Sequence, residues 1–292
     1  MAATTVPKRI VVCGGNGFLG SRICKAATAR GWEVTSISRS GEPKWDTVTS
    51  SATRPSWASS VSWHRADILQ PSQYRDTLKG ADAVVHSMGI LLEADYKGVI
   101  SGKEPIVQGL RRAFSSTKQG TANPLERDGN EDLRPLERDG QITYEVMNRD
   151  TAILLAHEAA NASVPVFGYI SAAAGAPILP ARYINTKRAA EDTVTTKLPQ
   201  IRSFFIRPGF LYDASRAFTM ALAGPTFVSA MVNSLLGGAL TGPFGGAVVK
   251  PLKADLVAES VIEAIADDSV KGPIETTQIE ALANREWRRG ML

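Results

Sequence analysis

A five-residue apolar run that stops on glycine leaves this chain few folds to choose from. Arg9-Ile-Val-Val-Cys13 is short and β-branched, the pattern of a strand buried on both faces. It runs into Gly14-Gly-Asn-Gly17-Phe-Leu-Gly20. Leu19, Ile23 and Ala27 then recur at helical spacing, and Gly31 supplies a C-terminal cap. Gly14, Gly17 and Gly20 have the spacing G-x-x-G-x-x-G. The first allows the tight turn, the second lets backbone approach a pyrophosphate, and the third lets helix and sheet pack closely. The N–H groups of the helix N-terminus then face the phosphates, with Asn16, Phe18 and Leu19 in the same loop. A Walker-type loop is excluded, because Ser21-Arg22 follows Gly20 where Lys-Ser/Thr would stand.

The same rhythm continues downstream. Strands are expected at Trp32–Ser38, Val61–Arg65, Ala83–Ser87, Val166–Ser171 and Phe204–Arg207. Between them Pro71 opens a short helix, and longer helices are expected at Thr143–Asn161 and Tyr183–Lys197. Asp255 with Val257, Val261 and Ile265 marks a capped helix near the end. Alternation of this kind predicts an α/β fold: a doubly wound parallel sheet covered on both faces. Residues 8–215 are expected to form the nucleotide-binding domain, with residues 216–292 a smaller region packed on it.

Two stretches break the rhythm. Glu93 to Ile142 carries a near-tandem repeat, Pro124-Leu-Glu-Arg-Asp-Gly129 and Pro135-Leu-Glu-Arg-Asp-Gly140, and reads as an exposed insertion of about residues 93–142. Ala217 to Val249 is 33 residues without a charge, but Gly224-Pro225 and Gly242-Pro243 cut it well below the ~20 residues of a membrane span. Residues 226–240 instead read as an amphipathic helix for core packing, a substrate lid or peripheral membrane contact. Hydrophobic residues make up 43%, which excludes wholesale disorder. Two cysteines, Cys13 and Cys24, exclude a disulfide scaffold. The net charge is +4 with dispersed basic residues, which disfavours nucleic acid as a partner. No secretory signal is visible, and the few residues before Lys8 leave little room for a presequence.

The second strand ends in Ser38-Arg39-Ser40 where an acidic residue would accept free ribose hydroxyls. Arginine there suits a 2′-phosphate, so NADP(H) is expected over NAD(H); stacking of Arg39 on adenine is the alternative. Asp67 and Ile68 follow the third strand and are placed to touch adenine, although Asp67 also suits a plain turn. Ser87, Met88 and Gly89 follow the fourth strand on the expected path of the cofactor. His86 there reads as a packed histidine more readily than a catalytic one.

Tyr183-Ile-Asn-Thr-Lys187 places a phenol and an ammonium on one helix face. The cation is expected to favour the phenolate, making Tyr183 a proton donor or acceptor, and Lys187 can also hold ribose hydroxyls. Ser171, at a strand end twelve residues earlier, would polarise a substrate carbonyl or serve only as a strand-terminal hydroxyl. Arg207-Pro208-Gly209 ends a further strand on the same edge, and no zinc-ligand spacing occurs.

With these residues in hand the chain resembles the atypical extended short-chain dehydrogenase/reductase superfamily, of the NAD-dependent epimerase/dehydratase type. The resemblance rests on Val12-Cys-Gly-Gly-Asn-Gly-Phe-Leu-Gly20, Ser36-Ile-Ser-Arg-Ser-Gly41, Val84 to Glu93, Tyr169-Ile-Ser171, Tyr183 to Arg188 and Ile206-Arg-Pro-Gly-Phe210. It is most similar to a fungal mitochondrial branch tied to the ubiquinone (coenzyme Q) biosynthetic complex. A related branch holds an NADPH-binding accessory subunit of respiratory complex I. The resemblance implies a mitochondrial protein on the matrix side of the inner membrane, with ubiquinone-pathway proteins as partners. One departure is Cys13, where the superfamily usually has threonine. The functions implied are an NADP(H)-dependent oxidoreductase on a quinone-like or lipid intermediate, or a nucleotide-holding assembly subunit without turnover. A nucleotide-sugar epimerase or dehydratase is disfavoured by the uncharged Ala217–Val249 stretch.

Overall fold

The computed structural model describes residues 7–90, 123–126, 143–174, 181–213, 229 and 249–289. Most of the 93–142 insertion and the proposed 226–240 helix therefore lie outside the described residues. The elements run β1 (Arg9–Cys13), α1 (Phe18–Ala29), β2 (Glu33–Ser38), α2 (Trp45–Val48), β3 (Val61–Arg65), α3 (Arg75–Leu78) and β4 (Ala83–His86). After the insertion come a π-helical turn (Glu145–Asp150), α4 (Thr151–Asn161), β5 (Val166–Ile170), α5 (Ala181–Lys197), β6 (Arg202–Ile206) and β7 (Leu211–Tyr212). The chain closes with β8 (Leu252–Lys253), α6 (Ala254–Ala266), β9 (Gly272–Ile274) and α7 (Thr276–Arg289).

Seven strands form one parallel sheet in the order β3-β2-β1-β4-β5-β6-β9, and β7 pairs with β8 in a separate parallel ribbon. Strand order reverses at β1, with Cys13 in register with Ile37 of β2 on one side and His86 of β4 on the other. A crevice therefore opens beyond the carboxyl end of β1, where open α/β sheets bind ligands. The unbroken apolar run of β1 is explained by its two neighbours. Ile10 and Val12 face a core shared with α1, α6 and α7, whereas Val11 and Cys13 face one shared with α4 and α5. Burial pushes both thiols, Cys13 and Cys24, above their ordinary range, and both are free.

Three local features depart from the sequence reading. The helix expected from Thr143 begins as a π-helical turn, because one extra residue per turn is invisible to a 3.6-residue pattern. β9 and α7 are not anticipated: β9 is three residues long with Pro273 at its centre, and an edge strand tolerates proline. The β2–β3 connection holds only the four-residue α2 and a 3-10 turn, Ser56–Ser60. There Trp45 meets the rings of Trp57 and Trp63 edge-on at 5.4 and 5.9 Å.

Helix α1 is also tied to residues far along the chain. The Arg22 side chain, 9% exposed, donates to the carbonyls of Phe18 (2.7 Å) and Val48 (3.2 Å). It pairs with Asp213 at 2.6 Å and with Asp255 at 3.5 Å. Among the described residues no helix is long and apolar enough to cross a membrane.

Candidate functional site

The glycine loop is built as its spacing predicts. Gly14 has φ +85° and donates its N–H to Ile37 O at 2.8 Å, and Gly17 N–H donates to Gly14 O at 2.9 Å. A Cβ on Gly20 would stand 2.1 Å from Gly14 O and 2.6 Å from Ser87 Oγ, so α1 sits as close as glycine allows. Gly15, which the triplet spacing passes over, is equally restricted: its Cβ would meet Ser36 Oγ at 2.4 Å and Cys24 Sγ at 2.9 Å. The adjacent Gly14-Gly15 pair was the available signal.

Beside this loop lies a cleft of about 430 Å³ lined by Cys13, Gly14, Asn16, Ile37, Ser38, Arg39, Ser40, Ala66, Ile68 and Met88. Its wall is a pinned turn. Ser38 Oγ donates to Gly41 O at 2.9 Å, and Asn16 Nδ2 donates to Ser40 Oγ at 2.6 Å. Arg39 is exposed and pairs with no carboxylate among the described residues. Asp67 Oδ1 accepts from Leu69 N–H at 3.0 Å, which is turn chemistry, while the buried Ile68 lines the cleft. Phe18 and Leu19 serve the helix: the Arg22 guanidinium lies 4.4 Å from the Phe18 ring centroid, and Leu19 is in the core. Of the loop glycines Gly14 alone lines this cleft, and Asn16, Ser38, Arg39 and Ser40 supply its polar side chains.

The other half of the edge gathers Tyr183, Lys187 and Gly89. Lys187 is 4% exposed; its Nζ donates to Ile170 O at 3.1 Å and to Tyr169 Oη at 3.5 Å. It also lies 5.1 Å from the Tyr169 ring and 5.8 Å from the Tyr183 ring. A Cβ on Gly89 would be 3.5 Å from that Nζ and 3.1 Å from Asn148 Oδ1. Asn148, in the π-helical turn, clasps Ile90 through both side-chain atoms, and its carbonyl accepts from Tyr169 Oη at 2.5 Å. Tyr169 enters the sequence reading only within Tyr169-Ile-Ser171, and Asn148 carries no sequence signal, because the π-helical turn brings its carbonyl to the sheet.

Electrostatics at this end differ from the sequence expectation. Burial pushes the Tyr183 phenol up to about 12, and the cation that opposes this is Arg188. Burial also pushes Lys187 down to about 7, with Glu191 opposing the fall. The resting tyrosine is therefore a neutral phenol beside a lysine that is charged only part of the time at neutral pH.

Ser171 sits in an ionic cluster. Its hydroxyl donates to Glu191 Oε1 in a very short contact and accepts from Arg188 Nη1 at 3.1 Å. Arg207 donates to the same carboxylate through Nε and Nη2, and to Glu275 at 2.8 Å. Glu191 is 4% exposed. Its position four residues after Lys187 was a readable helical pairing. Pro208 O accepts from Ala173 N–H at 2.9 Å, and Gly209 packs against Val249 and Lys250. Ser87 Oγ donates to Cys13 O at 2.9 Å, and Met88 Sδ lies 3.3 Å from Cys13 Sγ.

His86 is packed, as the sequence favoured. Thr151 Oγ1 donates to Met147 O, so His86 Nε2, 2.9 Å from Thr151 Oγ1, must carry the proton. Burial pushes the imidazole down to about 3, holding it neutral. Among the described residues no cluster of His, Cys, Asp and Glu could hold a metal ion.

This geometry agrees with the similarities the chain shows. The NAD dependent epimerase/dehydratase family profile matches residues 10–95. MIOREX complex component 2 of Saccharomyces cerevisiae is 37% identical over 224 residues, covering 72% of this chain and 75% of that protein. A short-chain dehydrogenase/reductase family oxidoreductase from Burkholderia thailandensis superposes with a TM-score of 0.55 at 12% identity, covering 94% and 93% of the two chains. UDP-glucuronic acid 4-epimerase from Bacillus cereus, in complex with NAD, gives 0.53 at 16% identity over 91% and 76%. At such identities the two solved structures speak for the fold alone.

Proposed function

Since this chain belongs to the NAD-dependent epimerase/dehydratase family of short-chain dehydrogenase/reductase-like proteins, we propose that it binds NADP(H) in preference to NAD(H) and is an oxidoreductase. Its substrate is a quinone-like or lipid intermediate, and it works within a mitochondrial complex devoted to ubiquinone biosynthesis, on the matrix side of the inner membrane. The observation that carries the nucleotide reading is the cleft beside Gly14, walled by the pinned turn Ser38-Arg39-Ser40. An arginine without a carboxylate partner at that wall suits a 2′-phosphate. Asn16, Gly17 and the α1 N-terminus would hold the pyrophosphate; Ser87, Met88, Gly89, Pro208 and Gly209 would border the nicotinamide side.

A bound nicotinamide dinucleotide supplies the hydride. The chain's own residues handle the proton and the substrate oxygen. Tyr183, a neutral phenol in the resting state, donates or accepts the proton, and Lys187 supports it from one helical turn away. Ser171 would hold the oxygen once its hydroxyl leaves Glu191. The uncharged Ala217–Val249 stretch supports a greasy substrate over a nucleotide sugar. A complex partner is supported by the yeast relative, whose name makes it a complex component.

One observation favours a second reading, a nucleotide-holding subunit without turnover. The Ser171 hydroxyl is already committed as donor to Glu191 and as acceptor from Arg188. Fluorescence titration with NADPH and NADH, on the protein and on Arg39→Ala, tests the nucleotide reading. Preferential NADPH binding that weakens in Arg39→Ala is expected. No binding of either nucleotide at tens of micromolar overturns it. Oxidation of NADPH by a short-chain quinone, lost in Tyr183→Phe, separates the enzyme from the holding subunit.

A further inference from the structure

The turn that walls the nucleotide cleft is braced by a second arginine, Arg65, which the sequence reading leaves as the last residue of a strand. We propose that Arg65 is a specificity-determining residue for a 2′-phosphate on the adenosine ribose, acting with Arg39 and Ser40. This inference rests on the NADP(H) reading above.

Charge pairing sets Arg65 apart. Among the described residues, every arginine except Arg39, Arg65 and Arg288 has a carboxylate within ion-pair distance. Two of those three converge on one turn. Arg65 is in register with Ser38, the residue before Arg39, and its Nε donates to Ser40 O at 3.1 Å. The stem lies across Gly41, where a Cβ would come within 3.0 Å of Arg65 Cγ. Gly41 has φ +75°, so the turn needs glycine there for its backbone as well.

With Nε committed to Ser40, the guanidinium is oriented and its two terminal nitrogens have no protein partner among the described residues. Ser40 Oγ accepts from Asn16, which turns its own proton away from Asn16 and toward an incoming acceptor. The turn therefore offers two guanidinium groups and a hydroxyl, with no carboxylate to accept ribose hydroxyls. A phosphate monoester brings nearly two negative charges and three acceptor oxygens to that spot, which a ribose 2′-hydroxyl does not. Both arginines are exposed, so discrimination comes from attraction, not from excluding NADH, and salt must weaken it.

The alternative is that Arg65 only braces the turn through its bond to Ser40. Arg65→Gln separates the two, because glutamine places an N–H where Arg65 has Nε and lacks the charge. Wild type, Arg65→Gln and Arg39→Ala are titrated with NADPH and NADH by fluorescence, and with adenosine 2′,5′-bisphosphate and 5′-AMP by competition. Each titration is run at low salt and at about 0.5 M salt. In Arg65→Gln, affinity for NADPH and the bisphosphate is expected to fall about tenfold, with NADH and 5′-AMP within about twofold, and the salt dependence flattens. Equal losses for all four ligands make Arg65 a brace and overturn the proposal. So does an unchanged NADPH preference in Arg65→Gln when Arg39→Ala loses it. A wild type with no preference for NADPH sinks the NADP(H) reading itself, and the role of Arg65 with it.

Discussion

Two alanine substitutions in the glycine loop should separate stability from nucleotide affinity. At Gly20 the added Cβ would stand 2.1 Å from Gly14 O and 2.7 Å from Gly14 C, both backbone atoms that cannot rotate away. Ordinary contact begins near 3.4 Å, so α1 would have to retreat by roughly 1 Å from the loop that starts it. Overpacking of this kind costs about 1–3 kcal/mol, and a helix gains back about 1 kcal/mol when alanine replaces glycine. Because the clash falls on backbone, the upper end applies and a net loss of about 2 kcal/mol is expected. That corresponds to a fall of about 4–8 °C in Tm. At Gly17, the N-cap of α1 with φ −86°, the same Cβ would meet only Gly14 O at 3.1 Å, a contact that a few tenths of an ångström relieves. Gly17→Ala loses only the N-cap preference for glycine over alanine and should melt within about 3 °C of wild type, yet lose NADPH affinity because the methyl group stands where the pyrophosphate approaches. Thermal melts without nucleotide, paired with NADPH titrations, read both effects. If Gly20→Ala melts like wild type, the close packing of α1 on the loop is wrong. If Gly17→Ala binds NADPH as wild type does, the pyrophosphate does not lie there.

Other perturbations test other parts of the molecule. Asp213→Asn should cost about 3 kcal/mol in urea unfolding, because it strands the buried Arg22 guanidinium; a loss below about 0.5 kcal/mol would show that Asp255 suffices. His86, held near 3 when folded against about 6.5 unfolded, is neutral in the native state, so the unfolded chain binds more protons as pH falls through that window. Stability should therefore drop between about pH 6.5 and 3, and Tm against pH should be flatter there for His86→Gln. Lys187, at about 7 folded against 10.5 unfolded, gives the same sign at higher pH. Its contribution should grow from pH 7 towards 10.5, and Lys187→Met should lose that rise; a parallel Tm profile would contradict the burial of the ammonium.

Much of this architecture was legible because β1 and α1 obey short-range rules. The strand Arg9–Cys13 and the helix after it follow from apolar runs, glycine and a 3.6-residue period, all local in sequence. The cleft beside Gly14 was legible for the same reason, since its lining residues Asn16, Arg39 and Ile68 each follow a strand end. Arg65 was not, because its significance comes from lying in register with Ser38, a relation between two strands. The end of the sheet edge that gathers Tyr183 and Lys187 was half visible. Tyr183 and Lys187 announce themselves by spacing, but their protonation is decided by burial, which reverses the simple expectation that the lysine lowers the phenol. Ser171 reads in sequence as either a carbonyl-polarising or a plain strand-terminal hydroxyl and sits in a carboxylate–guanidinium cluster in space, and only the fold brings Arg207 to that point.

The Arg22 clamp bears on how the protein is made. During synthesis the nucleotide loop and α1 emerge long before Asp213 and Asp255, the two carboxylates that neutralise the guanidinium in their midst. Until those residues arrive, the early strands can pair but the loop is mounted on a helix with an uncompensated charge. A fragment ending after β6 is thus a poor stand-in for the nucleotide domain, although it contains the whole glycine motif. Gripping a dinucleotide firmly becomes a property of the nearly finished chain, so bound cofactor would mark a molecule whose C-terminal part has docked.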